Sequence, residues 1–472
     1  MCLSEVRILS DNHPHDLVLK KRGGGLQEIS DINSAAMPLR FILLFPHGTR
    51  GWDPDNKHTD GRRRITPREY YVYQMHTRHE TDDWITRSCR LYQEFILTAW
   101  RVCEDQKLLW QALNQKTLRA DSYKSLKELQ EEQGVRDILG GETPIRVGRK
   151  TILASTFIGS KRWYNSEFQD AMAICREFCK PDYFITFTTN PNWTEITENL
   201  RPGETPQDRP DIVARVFKLK IDILMDDLVK KHMFGAVVGY LLVVEWQKRG
   251  LPHVHILIIV ANEDRPVTAE DIDDIICAEL PPDPETLPND KKEQAYRLQE
   301  IIVKNMIHGP CGDLYPQCPC MSDGKCTKGF PKKFIPATRM DTDTSYPVYQ
   351  RRSPQDGGRT IMIKRGNREI LVDNSWVVPY NPVLSLKYNA HINIEHCNDP
   401  RAAKYLYIYV TKGNDRTMVR AEIEGAENDE IDEFKDRRST GSGEAAHRLF
   451  AFPVAKKFPA VYALRIHLEN EK

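Results

Sequence analysis

The sequence predicts an α+β fold: a central antiparallel sheet with packed helices, a helical N-terminal region and a zinc-binding insertion. Three observations predict it. Strand-like runs, Tyr183-Phe184-Ile185-Thr186-Phe187-Thr188, 236–245 and 252–260, sit close together, and the last two flank the polar turn Gln247-Lys248-Arg249-Gly250. Helical periodicity fills residues 67–132, 160–180 and 210–231. Cys311, Cys318, Cys320 and Cys326 fall within 16 residues, a density that suggests a metal.

In chain order, residues 1–65 read as extended and turn-rich, with one apolar strand, Phe41-Ile42-Leu43-Leu44-Phe45. The helical stretch that follows includes the apolar-periodic segment 91–108. Strand 183–188 ends at the turn Asn190-Pro191-Asn192. The helix over 210–231 carries Val213, Val216, Phe217, Ile221, Leu224 and Leu228 on one apolar face. After the histidine-bearing strand come an acidic, Pro-rich stretch over 263–290, the cysteine cluster, and polar, turn-rich residues 335–375 with a short strand Thr360-Ile361-Met362-Ile363. A helix is expected over 399–413, capped by Asp399, with Pro400 in its first turn and Gly413 at its end. The tail is acidic and Ser/Gly-rich over 422–444, then apolar over 450–454.

The chain of 472 residues, 40% hydrophobic and 28% charged, is ordinary globular material. Its apolar runs are too short to span a bilayer, and Met1-Cys2-Leu3-Ser4-Glu5-Val6-Arg7 carries no secretory h-region, so an intracellular protein is expected. Lys+Arg and Asp+Glu are both 67, so net charge argues for no polyanionic partner, although a local groove can still be basic. Eleven cysteines, an odd number, argue against a disulfide framework.

Pro252-His253-Val254-His255 carries the first chemistry-bearing pattern. Residues two apart on a strand share a face, so the two imidazoles can hold one divalent ion, or can simply be hydrogen-bonded strand residues. Glu245 and Gln247 share one parity and sit across from them; an open site of two imidazoles and an oxygen donor suits Mg²⁺ or Mn²⁺. In the helix over 399–413, Tyr405 and Tyr409 lie one turn apart with Lys412 beside them, while Tyr407 points away. Such phenols are paired nucleophiles for phosphate, with the lysine favouring phenolate, or else an aromatic packing face. His308, Cys311, Cys320 and Cys326, with Cys318 as a substitute, fit a structural zinc site; the alternative is reduced thiols in a loop. Lys218, Lys220, Lys230, Lys231, Lys248 and Arg249 could line a single-strand groove in which Trp193 or Trp246 stacks bases, or form a solvated surface.

In this order the motifs resemble the HUH endonuclease domain of Helitron transposases, the rolling-circle replication-initiator module of those elements. Phe184-Ile185-Thr186-Phe187-Thr188-Thr189-Asn190-Pro191 is similar to the family's first motif. Glu245-Trp246-Gln247-Lys248-Arg249-Gly250-Leu251-Pro252-His253-Val254-His255-Ile256 resembles its metal motif, and 404–413 its two-tyrosine motif. Segments 110–118, 380–382 and 387–391 also fit. The resemblance implies an accessory helical region over 1–150, an HUH endonuclease domain over 151–415 with a cysteine-rich insertion at about 305–335, and an extension over 416–472.

It further implies that His253 and His255 are metal ligands, with Gln247 as third donor and Glu245 as second choice. Tyr405 and Tyr409 become the nucleophile pair, assisted by Lys412, and Thr188, Asn190, Lys248 and Arg249 become DNA contacts. The implied reaction is transesterification on single-stranded DNA at transposon ends, leaving a 5′-phosphotyrosine and a 3′-OH. Catalytic Mg²⁺ or Mn²⁺, structural Zn²⁺ and a nuclear location follow from the same resemblance. No G-x-x-x-x-G-K-[ST] loop occurs, so a helicase is expected in trans or lost. One departure stands out: the family usually carries a lysine between the tyrosines, where this chain has Ile408. That change favours the alternative of a catalytically silent DNA-binding remnant. A metallohydrolase using activated water is a third reading, and it predicts no covalent protein–DNA species.

Overall fold

The computed structural model describes residues 6–7, 17–78, 83–120, 151–246, 250–340, 347–366, 368–397, 430–437 and 439–462. The chain runs back and forth between two units. The first draws on Met1–Tyr164, Asn199–Ala214 and Asn414–Phe452, the second on Asn165–Glu198, Arg215–Gly413 and Pro453–Lys472.

The first unit opens with a small antiparallel sheet of β1 (Val6–Arg7), β2 (Leu17–Lys20) and β3 (Leu26–Ile29). The strand expected over 41–45 is instead a turn that follows the helix Ala36–Arg40. The apolar residues there have helical rather than strand spacing. Phe41, Leu44 and Phe45, at i, i+3 and i+4, are buried, while Ile42 and Leu43 face solvent. Helix Pro67–Gln74 starts at a capping box, with Thr66 accepting from the Glu69 backbone and Glu69 from the Thr66 backbone. Helix Arg90–Leu113 buries Tyr92, Phe95, Ile96, Ala99 and Cys103 along one stripe against Phe41, Tyr71 and Met75. Each fully buried aromatic there contributes about 2–3 kcal/mol by the area it removes from water. Helix Ser442–Leu449 adds Ala445, Ala446 and Leu449 to the same core. The helical stretch expected over 67–132 is thus broken after Gln74, at the described residues 75–78 and 83–89; its part beyond 120 lies outside the described residues.

In the second unit the strands are β4 (Tyr183–Thr188), β5 (Val237–Trp246), β6 (Pro252–Val260), β7 (Met321–Ser322), β8 (Lys325–Cys326), β9 (Thr360–Arg365), β10 (Arg368–Asp373), β11 (His391–His396) and β12 (Ala455–Phe458). Five of them form one antiparallel sheet in the order β11-β4-β6-β5-β12. β6 is its centre, and all nine of its residues are buried, which is why, after its two histidines, it reads as the continuous apolar run 256–260. On one face Phe184, Leu241, Leu257 and Ile259 pack under Ile174 of the helix Lys161–Phe178. On the other, Phe187 stacks on Phe217 of the helix Pro210–Met225, with ring centroids 5.9 Å apart. That helix ends in a π-helical turn, Asp226–Lys230, close to the expected boundary at 231.

Several elements were absent from the sequence reading. The stretch after 263 holds helices Ala269–Asp273 and Asn289–Asn305. The short strand at 360–363 is longer and is half of the β9–β10 hairpin. Helix Pro382–Tyr388 leads into β11. A second core gathers Leu280, Ile302, Met306, Ile363, Val372, Val377 and Tyr380 between the hairpin and the helix Asn289–Asn305. The helix expected over 399–413 lies outside the described residues.

Candidate metal centres

The register of the sheet builds the first centre. His253 of β6 is paired with Glu245 of β5 on one side and Thr188 of β4 on the other; His255 is paired with Val243 and Thr186. Paired residues share a face, so Glu245, His253, His255, Thr186 and Thr188 project together from one end of the sheet. Nε2 of His253 lies 3.1 Å from Nε2 of His255, and Oε2 of Glu245 lies 3.3 Å and 3.6 Å from the two nitrogens. A triangle with those sides has its centre about 1.9 Å from each corner. Imidazole and carboxylate hold first-row divalent ions at about 2.0–2.2 Å, so the three atoms are spaced closely enough for one such ion to be held by all of them.

The surroundings favour ligation. Nδ1 of His255 is 3.0 Å from Oγ1 of Thr186, and Phe184 stacks parallel on its ring at 5.5 Å. In the tautomer that frees Nε2, Nδ1–H donates to the threonine oxygen, which fixes the ring. Burial lowers the pKa of His255, with the neighbouring His253 adding to the effect, so the lone pair is available near neutrality. Burial pushes the Glu245 carboxyl up, but hydrogen bonds from His253 and His255 outweigh it and hold the pKa at about 2. Nδ1 of His253 is buried with no hydrogen-bond partner among the described residues. Gln247, with Lys248 and Arg249, lies outside the described residues.

The second centre is the Cys/His module. The ligand atoms of His308, Cys311, Cys320 and Cys326 all lie within 4.8 Å of one another, and Sγ of Cys326 is 3.3 Å from Nε2 of His308. Gly309 has φ +83°, and a Cβ there would sit 2.6 Å from the Cys311 backbone nitrogen, so only glycine lets the chain bend between the first two ligands. Burial raises the Cys326 thiol, but backbone N–H groups of Phe330 and Lys328, together with the other two thiols, draw its pKa down. Burial and the adjacent thiols push Cys311 up to about 12, as expected where three sulfurs crowd one point without a cation. The four-residue set is compatible with zinc. Cys318 stands apart, its Sγ 3.9 Å from the Pro310 carbonyl, and the set closes without it.

Other expected contacts have different roles in the structure. Asn190 is buried; its amide donates to the Asn389 carbonyl at 2.7 Å and accepts from the Asn192 backbone at 2.9 Å, which shapes the turn after β4. Trp193 is buried, with Nε1 donating to the Tyr388 carbonyl, so its ring packs in the core and offers no face to a base. Lys218 pairs with Asp222, Lys220 with Glu195, Lys230 with Asp226 and Lys231 with Asp227, which leaves that expected basic groove neutralised. Tyr405, Tyr409, Lys412 and Ile408 lie outside the described residues.

Sequence reasoning missed His391, the first residue of β11. It is paired with Thr188, which is paired with His253, so Glu245, His253, Thr188 and His391 form one row across four strands. Its Nδ1 is buried without a partner among the described residues. Burial holds its pKa at about 4, with both His253 and His308 lowering it further. The only signal in the sequence is the parity of His391 and Asn393 in a short run that carries no long apolar stretch.

An α+β protein with a Glu/His/His group that could hold a metal ion at the end of an antiparallel sheet, and a second, Cys/His group, is thus defined. Residues 70–258 match the family model described as the Helitron helicase-like domain at N-terminus. The matched span contains β4, β5 and both candidate histidine ligands, and it supports a Helitron-related protein. No curated protein matches the chain. Among the described residues no helix is long and apolar enough to cross a membrane.

Proposed function

We propose that this chain is a metal-dependent single-stranded DNA endonuclease and strand-transferase of a Helitron-like rolling-circle transposon, acting in the nucleus with helicase activity supplied in trans or lost. The observation that carries the reading is the Glu245–His253–His255 triangle, set on paired strands inside the span that matches the Helitron-like family model. Those three side chains would hold Mg²⁺ or Mn²⁺, which when bound polarises a phosphoryl oxygen and stabilises the charge that develops on it.

The chain's own groups do the rest. Thr186 fixes the orientation of His255, and Phe184 excludes water from one face of that ring. Glu245 stays ionised across the neutral range and offsets the cation's charge. Tyr405 or Tyr409 is the nucleophile. Its phenolate oxygen bonds to phosphorus as the P–O3′ bond breaks; the departing 3′ oxygen takes up a proton, and the 5′-phosphate stays on the tyrosine. The second tyrosine repeats this exchange on the incoming strand, and Lys412 favours phenolate. His308, Cys311, Cys320 and Cys326 hold a closed, structural zinc.

The test is incubation of the full chain with end-labelled single-stranded DNA and Mn²⁺, followed by denaturing electrophoresis. A protein–DNA adduct that disappears in the Tyr405→Phe, Tyr409→Phe double variant is expected. No adduct, or an adduct that survives the double substitution, refutes the reading. DNA binding without cleavage would select a silent remnant, the outcome to which Ile408 points.

A further inference from the structure

The Cys/His module carries Lys325, Lys328, Lys332 and Lys333 against Asp313 and Asp323. Arg365 and Arg368, at the tip of the β9–β10 hairpin, are exposed and directly opposite each other in the register. Like charges facing across a pair of strands destabilise it, so this placement costs the free protein stability that a bound polyanion would restore.

Hairpin and module form one surface. The Arg368 guanidinium lies 5.9 Å over the Tyr315 ring. Lys332 donates to the Lys328 carbonyl at 2.9 Å and sits 4.9 Å over Phe330, whose ring stacks on His308 at 4.3 Å. The module adjoins the sheet end that carries the triad: Nδ2 of Asn305, three residues before His308, donates to Oδ1 of Asn389 at 3.4 Å, and Asn389 stands two residues before His391 in the row that includes His253.

Resting on the endonuclease reading above, we propose that the zinc module and the β9–β10 hairpin tip form a single-strand nucleic-acid platform that leads to the metal triad. Lys328, Arg365 and Arg368 contact successive phosphates, and Tyr315 and the exposed Phe334 offer rings to bases. Zinc would serve this surface by setting where Lys328 stands, because the Thr327 N–H donates to the Cys320 carbonyl at 2.7 Å and the Gly329 N–H to the Cys326 carbonyl at 2.9 Å on either side of it.

The experiment uses the full zinc-loaded chain and a fluorescent oligothymidylate, with binding followed by anisotropy over a range of salt and without Mg²⁺ or Mn²⁺. In Lys328→Ala, Arg365→Ala, Arg368→Ala the Kd at low salt should rise at least about tenfold, and the log–log salt slope should fall by about two, the loss of three phosphate contacts at about 0.7 each. The charge-keeping variant Lys328→Arg, Arg365→Lys, Arg368→Lys should retain the wild-type slope. An unchanged slope in the alanine variant, equal loss in the charge-keeping one, or tighter binding to a duplex of the same length overturns the proposal. Mn²⁺ binding by the wild type, followed separately by electron paramagnetic resonance, judges the triad, so failure of the platform and failure of the triad give different results.

Discussion

Thr186→Val is the sharpest probe of the triad, because it removes one oxygen while keeping shape and touches no candidate ligand atom. Thr186 Oγ1 lies 3.0 Å from Nδ1 of His255, whose side chain is only 6% exposed. Without the hydroxyl, a hydrogen bond to a buried ring is lost, which costs the folded chain about 1–3 kcal/mol. That loss would follow from any structural role. Metal binding adds a second effect: the ring is no longer held in the tautomer that presents Nε2, and losing such an outer partner weakens metal affinity by about 10–100-fold, or about 1.4–2.8 kcal/mol. Mn²⁺ titration followed by electron paramagnetic resonance, beside urea unfolding of the metal-free chain, separates the two. Expected is a right-shifted Mn²⁺ isotherm together with a modest fall in stability. A stability loss with Mn²⁺ affinity within twofold of wild type would refute the assignment of His255 as a ligand oriented by Thr186.

Three further outcomes are expected. The chain should carry one zinc per molecule by elemental analysis, lost in Cys326→Ser and kept in Cys318→Ser, since Cys318 stands outside the four-ligand set; zinc loss on substituting Cys318 would contradict that set. Arg351→Met should destabilise the fold by about 3–5 kcal/mol in urea melts, because the buried guanidinium donates to the Ala278, Asn374 and Val377 carbonyls at 2.9, 2.7 and 2.6 Å; a loss under 1 kcal/mol would contradict this. His396, held by burial at a pKa of about 4 in the folded chain, is protonated first in the unfolded one. Stability present above about pH 6.5 is therefore lost as pH falls through about 4, by up to about 3 kcal/mol from this residue. An NMR titration of the His396 ring near its ordinary value of about 6.5 would remove that contribution.

Much of the triad was legible because strands repeat every two residues. Once 236–245 and 252–260 are read as neighbours across a short turn, parity alone puts Glu245 beside His253 and His255. The zinc set was legible from spacing, since four soft ligands in a short span with little apolar content have few other ways to order. The edges of the sheet were not. β11 is six residues long and alternates between faces, and β12 carries two lysines, so neither shows the apolar run that marks β6. The segment 41–45 misled because five consecutive apolar residues fit a strand, and only burial of the first, fourth and fifth reveals a turn. Lys218, Lys220, Lys230 and Lys231 could be read as a groove or as a solvated surface because their partners are not evident from sequence alone: Asp222, Glu195, Asp226 and Asp227 come near them only in the fold or on the same helical face.

The position of β12 bears on how the protein can be cut down. β12 covers the outer side of β5, with Ala455 opposite Val243 and Phe458 opposite Tyr240, and it belongs to the last stretch of chain to enter its unit. A truncation ending at Gly413, where the last motif residues stand, would keep every ligand yet leave β5 with a row of unpaired N–H and C=O groups along a buried, apolar strand. Such an edge recruits strands from other molecules. A minimal fragment chosen from motifs alone should therefore self-associate, whereas one carried through residue 462 keeps its own strand in that place.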